Sequence, residues 1–167
     1  MRKSFALAAA LAASLALSAC HRPVHQPPSA LSQAKAFLAK NATQPGVHVL
    51  PDGLQYKILQ SGPASGDHPR PGDQVKVNYE GKLLDGTVFD SSYEGGAPDV
   101  MPVKGLIKGW QEALQLMRPG DTWIIYVPPE LAYGDQGAGD AIPPGAALVF
   151  KLELIDFLPG PGHMANG

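Results

Sequence analysis

The sequence predicts an α+β fold, in which an antiparallel twisted sheet of four to five strands is wrapped on one short helix and preceded by a short N-terminal helix. The chain has 167 residues, of which 19 are glycine and 17 are proline, and this combined share is about twice the usual one. Such a composition favours short strands joined by tight turns over a helix bundle. Several segments alternate apolar with polar residues, as half-buried strands do, and two others have apolar residues at helical spacing.

The first 19 residues have the layout of a secretory signal peptide. Arg2 and Lys3 precede an uncharged run rich in Ala and Leu, which is shorter than the roughly 20 residues that a helix needs to span a bilayer. The run ends in Leu17-Ser18-Ala19-Cys20. This motif resembles the lipobox of bacterial lipoproteins, whose cysteine is lipidated and becomes the mature N-terminus. Because the one cysteine of the chain stands where cleavage is expected, we expect it to be lipidated rather than to be a buried thiol.

Residues 20–46 are predicted to hold the lipidated Cys20, a proline-rich tether and a short helix. Three prolines within residues 23–28 make the tether semi-rigid. Leu31, Ala34, Phe37 and Leu38 then recur at helical spacing, which predicts about three turns of helix over residues 29–41.

The domain that follows is predicted to cover residues 47–158. Its strands are predicted at 54–59, 74–80, 122–127 and 148–157, and an Asp-Gly pair within residues 83–89 predicts a hairpin. Ile107, Trp110, Ala113, Leu114 and Met117 recur at offsets of three and four, which predicts the core helix. A long Gly- and Pro-rich loop spans 132–145, and the tail over residues 159–167 is predicted to be flexible.

Charge and side-chain chemistry exclude several functions. The formal net charge is -2 and the sequence holds no basic stripe, so nucleic acid is not an expected partner. One cysteine among five scattered histidines offers no spacing suited to a structural zinc site. Gly134, Gly137 and Gly139 do not open a helix after a strand, and no Walker lysine follows them, so they do not indicate a nucleotide loop.

Several separated motifs resemble those of the FKBP-type peptidyl-prolyl cis/trans isomerases, in family order, over residues 47–158. They are Val77-Asn78-Tyr79-Glu80-Gly81, Asp85-Gly86-Thr87-Val88-Phe89-Asp90-Ser91-Ser92, Ile107-Lys108-Gly109-Trp110, Pro129-Glu130-Leu131-Ala132-Tyr133-Gly134 with Ile142-Pro143-Pro144, and Ala147-Leu148-Val149-Phe150. Residues 36–41 and 53–56 further resemble the exported bacterial lipoproteins similar to macrophage infectivity potentiator proteins. About 26 residues separate Cys20 from Val47, which is short for the helical dimerisation region of those relatives, so we expect a monomer.

The resemblance implies an enzyme that accelerates rotation about X-Pro bonds and needs no cofactor. It implies a pocket, here called the aromatic cup, formed by Tyr79, Phe89, Trp110 and Phe150 and completed by Leu106, Ile107 and Ile142. It further implies that Tyr133 donates its hydroxyl to a substrate carbonyl, that the Ile107 amide does the same one peptide away, and that Asp90 lies beside the twisting amide. Asp90, Tyr133 and Phe89 are thus the predicted catalytic residues.

Each of these residues also has a purely structural interpretation. An aromatic residue on an alternating strand is usually part of the core, Asp90 could only form a turn, and Tyr133 could only pack its loop. Three positions depart from the family pattern. Gly95 stands where exported relatives often carry an arginine, and Asp99 and Ala138 lie where well-studied members have an aromatic residue and a histidine. These departures leave a second hypothesis open, a non-catalytic chaperone or peptide-binding module on the same fold.

The expected partners follow from the same resemblance. They are proline-containing exported polypeptides, macrolides such as tacrolimus and rapamycin, and a membrane contacted through the lipid on Cys20. We expect the protein in the periplasm of a bacterium, anchored to the outer membrane.

Overall fold

The computed structural model describes residues 28–161. Two helices, α1 (Ala30–Asn41) and α2 (Lys108–Leu116), accompany seven strands. The strands are β1 (Val47–Val49), β2 (Gln55–Gln60), β3 (Gln74–Lys82), β4 (Val88–Ser91), β5 (Asp99–Pro102), β6 (Thr122–Val127) and β7 (Leu148–Leu158). The predicted α+β class with an antiparallel sheet and a short preceding helix is confirmed. The predicted signal peptide, Cys20, most of the tether and residues 162–167 lie outside the described residues.

All seven strands belong to one antiparallel sheet in the order β1-β2-β6-β7-β3-β4, with β5 also paired to β3. The sheet therefore has more strands than the four to five predicted. Val47–Val49 and Asp99–Pro102 account for most of the difference, since strands of three and four residues are too short to show an alternating pattern.

The central strand β3 has one edge that is shared by two partners. β7 pairs with β3 along its whole length, whereas on the other edge β5 pairs with residues 74–77 and β4 with residues 80–82. Between those partners the backbone of Tyr79 would be left without ladder bonds. Two serine side chains take their place. Ser92 Oγ accepts a hydrogen bond from the Tyr79 amide at 2.9 Å. The Tyr79 carbonyl accepts from Ser91 Oγ at 3.3 Å and from Ser92 Oγ at 3.4 Å.

Helix α2 packs its apolar stripe on one face of the sheet and forms the core. Trp110, Ala113 and Leu114 of α2 are buried, as is Met117 directly after it. They belong to one buried cluster with Leu54, which directly precedes β2, and with inward-facing side chains of the strands, among them Val75, Val77, Ile125, Val127, Leu148, Leu152 and Leu154. Gly109 allows this approach, because a Cβ there would lie 2.6 Å from Val127 Cγ1. The helix ends before Arg118-Pro119-Gly120, where Gly120 adopts a left-handed conformation with φ of 92°.

Helix α1 is joined to the sheet by a buried polar pair. Asn41 Nδ2 donates to Gln55 Oε1 at 2.9 Å, and Gln55 Nε2 donates to the carbonyl of Leu38 at 2.9 Å. The Gln55 amide thus uses both its oxygen and its nitrogen in hydrogen bonds, as is usual for a buried polar group. The ring of Phe37 lies 5.9 Å from that of Tyr126.

Within residues 28–161, no helix has the length and apolar character needed to cross a bilayer.

Candidate active site

A cavity of about 260 Å³ opens where β3, β4, β5, β7 and the start of α2 meet. Ten residues line it: Tyr79, Phe89, Asp90, Met101, Gly105, Leu106, Ile107, Trp110, Tyr133 and Phe150. The structure thus brings together eight of the nine residues that the sequence predicted for the site. The four aromatic side chains come from β3, β4, α2 and β7, so the fold assembles the aromatic cup from distant parts of the chain.

The rings of the aromatic cup pack edge to face in a continuous series. Tyr79 contacts Trp110 with ring centroids 5.0 Å apart and an interplanar angle of 83°, and Trp110 contacts Phe150 at 5.2 Å and 87°. Phe150 in turn contacts Phe89 at 5.6 Å and 88°. This arrangement places the positive edge of one ring against the negative face of the next. The series fixes the orientation of each ring and gives the cavity an apolar floor and wall.

Gly81 on β3 provides the space for two of these rings. A Cβ at this position would lie 2.7 Å from Phe150 Cε1 and 2.7 Å from Phe89 Cζ, well inside the 3.5–4.0 Å of an optimal carbon contact. A side chain at position 81 would therefore displace part of the aromatic cup.

One hydrogen bond positions the carboxylate at the cavity edge. Tyr79 Oη donates to Asp90 Oδ2 at 2.8 Å. Asp90 belongs to β4, which begins after a tight turn at residues 83–87 where Gly86 has a φ of 90°. The predicted Asp-Gly hairpin is thus confirmed, and a bulge in the β3–β4 pairing lies between Gly81 and Lys82.

A second carboxylate, that of Asp99, acts on the same hydroxyl. Burial, the hydrogen bond to Asp90 and the negative charges of Asp90 and Asp99 together raise the pKa of Tyr79 well above its ordinary value. Tyr79 therefore stays protonated and acts as a hydrogen-bond donor throughout the physiological range. Asp99 is half-buried and lies two residues before Met101 on β5, so both side chains share the face of the strand that lines the cavity.

Two donors without partners complete the cavity. The amide of Ile107, just before α2, and the hydroxyl of Tyr133, which is 40% exposed, form no hydrogen bond within residues 28–161. Both residues line the cavity, so each donor is available to a bound carbonyl.

Ile142 is the predicted site residue that does not line the cavity. It is 5% exposed and belongs to the core cluster, and its backbone forms a two-way bridge with Ala138 at 2.9 and 3.1 Å. This bridge closes the loop on itself. Ile142 therefore supports the loop that carries Tyr133.

Met101 and Gly105 line the cavity although they were not among the predicted site residues. Met101 lies on β5, whose pairing with β3 brings it next to Val75, and Gly105 belongs to a 3-10 turn before α2. A signal for Gly105 was available, because it directly precedes the predicted Leu106 and Ile107.

Comparison with known families and structures agrees with this geometry. Residues 66–155 match the family described as FKBP-type peptidyl-prolyl cis-trans isomerase, and residues 10–58 match the domain amino terminal to it. The chain belongs to the FKBP family. The resemblance to macrophage infectivity potentiator proteins is also confirmed: the chain is 57% identical over 123 residues to peptidyl-prolyl cis-trans isomerase Mip of Coxiella burnetii, covering 74% of this chain and 53% of that protein.

Other relatives are similar over the same region. The chain is 48% identical over 122 residues to the FKBP-type 22 kDa peptidyl-prolyl cis-trans isomerase of Escherichia coli, covering 73% of this chain and 58% of the relative. A crystal structure of a peptidyl-prolyl cis-trans isomerase from Pseudomonas syringae superimposes with a TM-score of 0.72 at 38% identity, covering 78% of this chain and 94% of the other. The chain spans about half the length of these two curated relatives, Mip of Coxiella burnetii and outer membrane protein MIP of Legionella longbeachae.

Proposed function

We propose that this FKBP-family protein accelerates cis/trans isomerisation of X-Pro bonds in exported polypeptides. The observation that carries the proposal is the aromatic cup with two unpartnered donors at its edge. Rotation about the amide bond faces a barrier of about 18–20 kcal/mol, because the planar amide loses its resonance when it twists. The twisted amide is less polar at its carbonyl than the planar one, so an apolar cavity that excludes water binds it more tightly than the ground state. Neither a nucleophile nor a metal is needed for this reaction.

The side chains of the cavity have separate roles in this proposal. Trp110 forms the floor under the proline ring, and Phe89, Phe150 and Tyr79 surround it, while Leu106 and Ile107 provide the remaining apolar wall. The free amide of Ile107 and the hydroxyl of Tyr133 hold two substrate carbonyls and so fix the peptide on either side of the rotating bond. Preorganised donors of this kind avoid reorganisation during the reaction.

Asp90 acts through its charge rather than as a general base. Isomerisation transfers no proton, and the Asp90 carboxylate already accepts a hydrogen bond from Tyr79. Its negative charge interacts with the altered dipole of the twisted carbonyl.

A protease-free isomerisation assay on the full chain tests the proposal. We expect acceleration that rapamycin abolishes, because the macrolide and the peptide would occupy the same cavity. Tyr133→Phe removes one hydrogen bond to substrate, so kcat/KM should fall about three- to tenfold, and Asp90→Ala should also lower it. A folded protein that accelerates none of several X-Pro peptides would refute the proposal and favour the binding-module hypothesis.

We further propose that the protein is an exported lipoprotein, held by acyl chains on Cys20 at the periplasmic face of the outer membrane, where it acts as a monomer. The supporting observations are the hydrophobic run before Cys20 and the 48% identity over 124 residues to outer membrane protein MIP of Legionella longbeachae. Stable anchoring needs at least two lipid or electrostatic signals, with about 0.8 kcal/mol for each buried methylene. Cys20→Ser should move the protein from the membrane fraction to the soluble fraction, whereas unchanged membrane attachment would contradict lipidation.

A further inference from the structure

One peptide group at the edge of the aromatic cup, that between Leu106 and Ile107, lies outside the helices and strands. The 3-10 turn before it ends at Gly105, and α2 begins at Lys108. Both residues have extended backbones, with φ and ψ of -87° and 165° at Leu106 and of -59° and 151° at Ile107. Regular secondary structure therefore holds neither the carbonyl nor the amide of this group. Its amide is the donor that the proposed function assigns to a substrate carbonyl.

A side chain of α2 holds the carbonyl of this peptide group. Gln111 Nε2 donates to the Leu106 carbonyl at 2.6 Å and, in a longer bond, to the carbonyl of Lys104 at 3.4 Å. Gln111 follows Ile107 by four residues, so its side chain reaches back over the turn that precedes it. Within residues 28–161, Gln111 is the only donor to the Leu106 carbonyl.

The planar geometry of the peptide group transmits this bond to the amide. In a trans peptide group the C=O and N–H bonds lie in one plane and point in opposite directions. Because the Leu106 carbonyl is directed at Gln111, the Ile107 amide is directed away from that side chain, and both residues of the group line the cavity. A hydrogen bond accepted at the carbonyl also polarises the group and so strengthens the donor at its other end.

We propose that Gln111 is a positioning residue for the isomerase: it fixes this peptide group so that the Ile107 amide is presented to a substrate carbonyl. The inference rests on the proposed function, since it concerns a donor that the proposed function uses. Without Gln111 the group is free to rotate as a unit, through opposite changes of ψ at Leu106 and φ at Ile107, and the amide turns away from the cavity for part of the time. Gln111 does not line the cavity, so it acts through the backbone.

Gln111→Met tests this role, because it removes the donor while keeping the length and the helix propensity of the side chain. The Ile107 amide binds a carbonyl of a neighbouring peptide group and not the rotating amide itself, so its loss weakens substrate and transition state about equally. We therefore expect KM, and the peptide Kd from chemical-shift titration, to rise about two- to fivefold while kcat changes by less than about 1.5-fold. Gln111→Glu has the same shape but directs a carboxylate at the Leu106 carbonyl, so KM should rise further.

The Ile107 amide proton supplies a readout that a general loss of stability would not move. When the full chain is saturated with the peptide Ala-Leu-Pro-Phe, this resonance should shift downfield in the wild type, because the amide donates to a substrate carbonyl. The shift should be clearly smaller in Gln111→Met.

Gln115→Met is the matched control on the same helix. Gln115 is exposed, donates to the carbonyl of Gln111 at 2.8 Å and does not line the cavity. Its substitution removes a side-chain hydrogen bond of the same kind, yet it should leave KM, the peptide Kd and the Ile107 shift unchanged.

Each result decides between positioning and a merely structural role. Unchanged KM and Kd in Gln111→Met, or a lower kcat at unchanged KM, would overturn the positioning role and leave the isomerase function intact. An equal rise of KM in Gln115→Met, or a smaller rise in Gln111→Glu than in Gln111→Met, would overturn it as well. If the wild type turns over no peptide, the proposed function is refuted, and the Kd values of wild type and Gln111→Met then decide whether Gln111 positions the amide for binding.

Discussion

The close contact of Gly81 with two rings of the aromatic cup predicts that Gly81→Ala impairs stability and activity together. The added methyl carbon would lie 2.7 Å from both Phe150 Cε1 and Phe89 Cζ, and 2.9 Å from Phe89 Cε2. An optimal carbon contact is about 3.5–4.0 Å, so the rings must move by about 1 Å. Phe150 is 4% exposed and packs against Trp110, which restricts the movement of its ring.

Overpacking of this kind lowers the unfolding free energy by about 1–3 kcal/mol. At roughly 4 °C for each kcal/mol in a domain of this size, Tm should fall by about 4–12 °C. The displaced rings line the substrate cavity, so kcat/KM should fall as well, because a displacement near 1 Å at a catalytic site costs up to about a hundredfold.

Calorimetry and the isomerisation assay, applied to the same samples, check this prediction. Gly72→Ala is the matched control: it lies just before β3, is exposed, and its added carbon would meet nothing within 4 Å. Its unfolding free energy should stay within about 0.5 kcal/mol of the wild-type value. In the double variant Gly81→Ala/Phe89→Leu, the shorter side chain should restore part of the lost stability, giving a non-additive cycle. Wild-type Tm and kcat/KM in Gly81→Ala would refute the reasoning.

Three further changes test other contacts. Ser92→Ala leaves the Tyr79 amide without its hydrogen-bond acceptor, although Ser91 Oγ still donates to the Tyr79 carbonyl, so the unfolding free energy should fall by about 1–3 kcal/mol in denaturant titrations; a loss smaller than about 0.5 kcal/mol would show that Ser92 does not replace the missing ladder bond. Burial and the nearby Asp52 raise the pKa of Glu112 from 4.5 to about 7. Ionisation of this glutamate therefore opposes folding as pH rises from about 4.5 to 7, and Glu112→Gln should raise Tm at pH 8 but not at pH 4. Equal shifts at both pH values would contradict this. Asn41→Ala breaks the buried amide pair with β2, so hydrogen exchange should accelerate in α1 and not in β7; unchanged protection in α1 would show that the pair is not what holds the helix.

Sequence patterns could place the long elements because these bury one face. The stripe from Ile107 to Met117 predicted α2, and the apolar segments at 122–127 and 148–157 predicted β6 and β7. β5 could not be predicted in this way. It has four residues, includes Asp99 and ends at a proline, and it forms because β4 leaves part of the β3 edge unpaired.

Family motifs in the sequence name individual residues of the site, whereas the contacts between these residues depend on tertiary structure. Tyr79 and Asp90 were both predicted, but the hydrogen bond between them depends on the register of β3 and β4. Ile142 was assigned to the cavity wall by resemblance; it is 5% exposed, belongs to the same buried cluster as Trp110 and Phe150, and is bridged through its backbone to Ala138. Asp99 was noted in the sequence as a departure from the family pattern, whereas its position on β5, two residues before Met101, follows from the pairing of β5 with β3.

The most direct test of the account is an NMR exchange measurement on a Leu-Pro peptide at equilibrium, with the full chain present in catalytic amount. The peptide alone interconverts over tens to hundreds of seconds. If the aromatic cup binds the twisted amide more tightly than the planar one, cis and trans resonances should exchange much faster with the protein present and return to the uncatalysed rate when rapamycin is added. Chemical-shift changes that show binding, with exchange still at the uncatalysed rate, would contradict the account and identify the cavity as a peptide-binding site without catalysis.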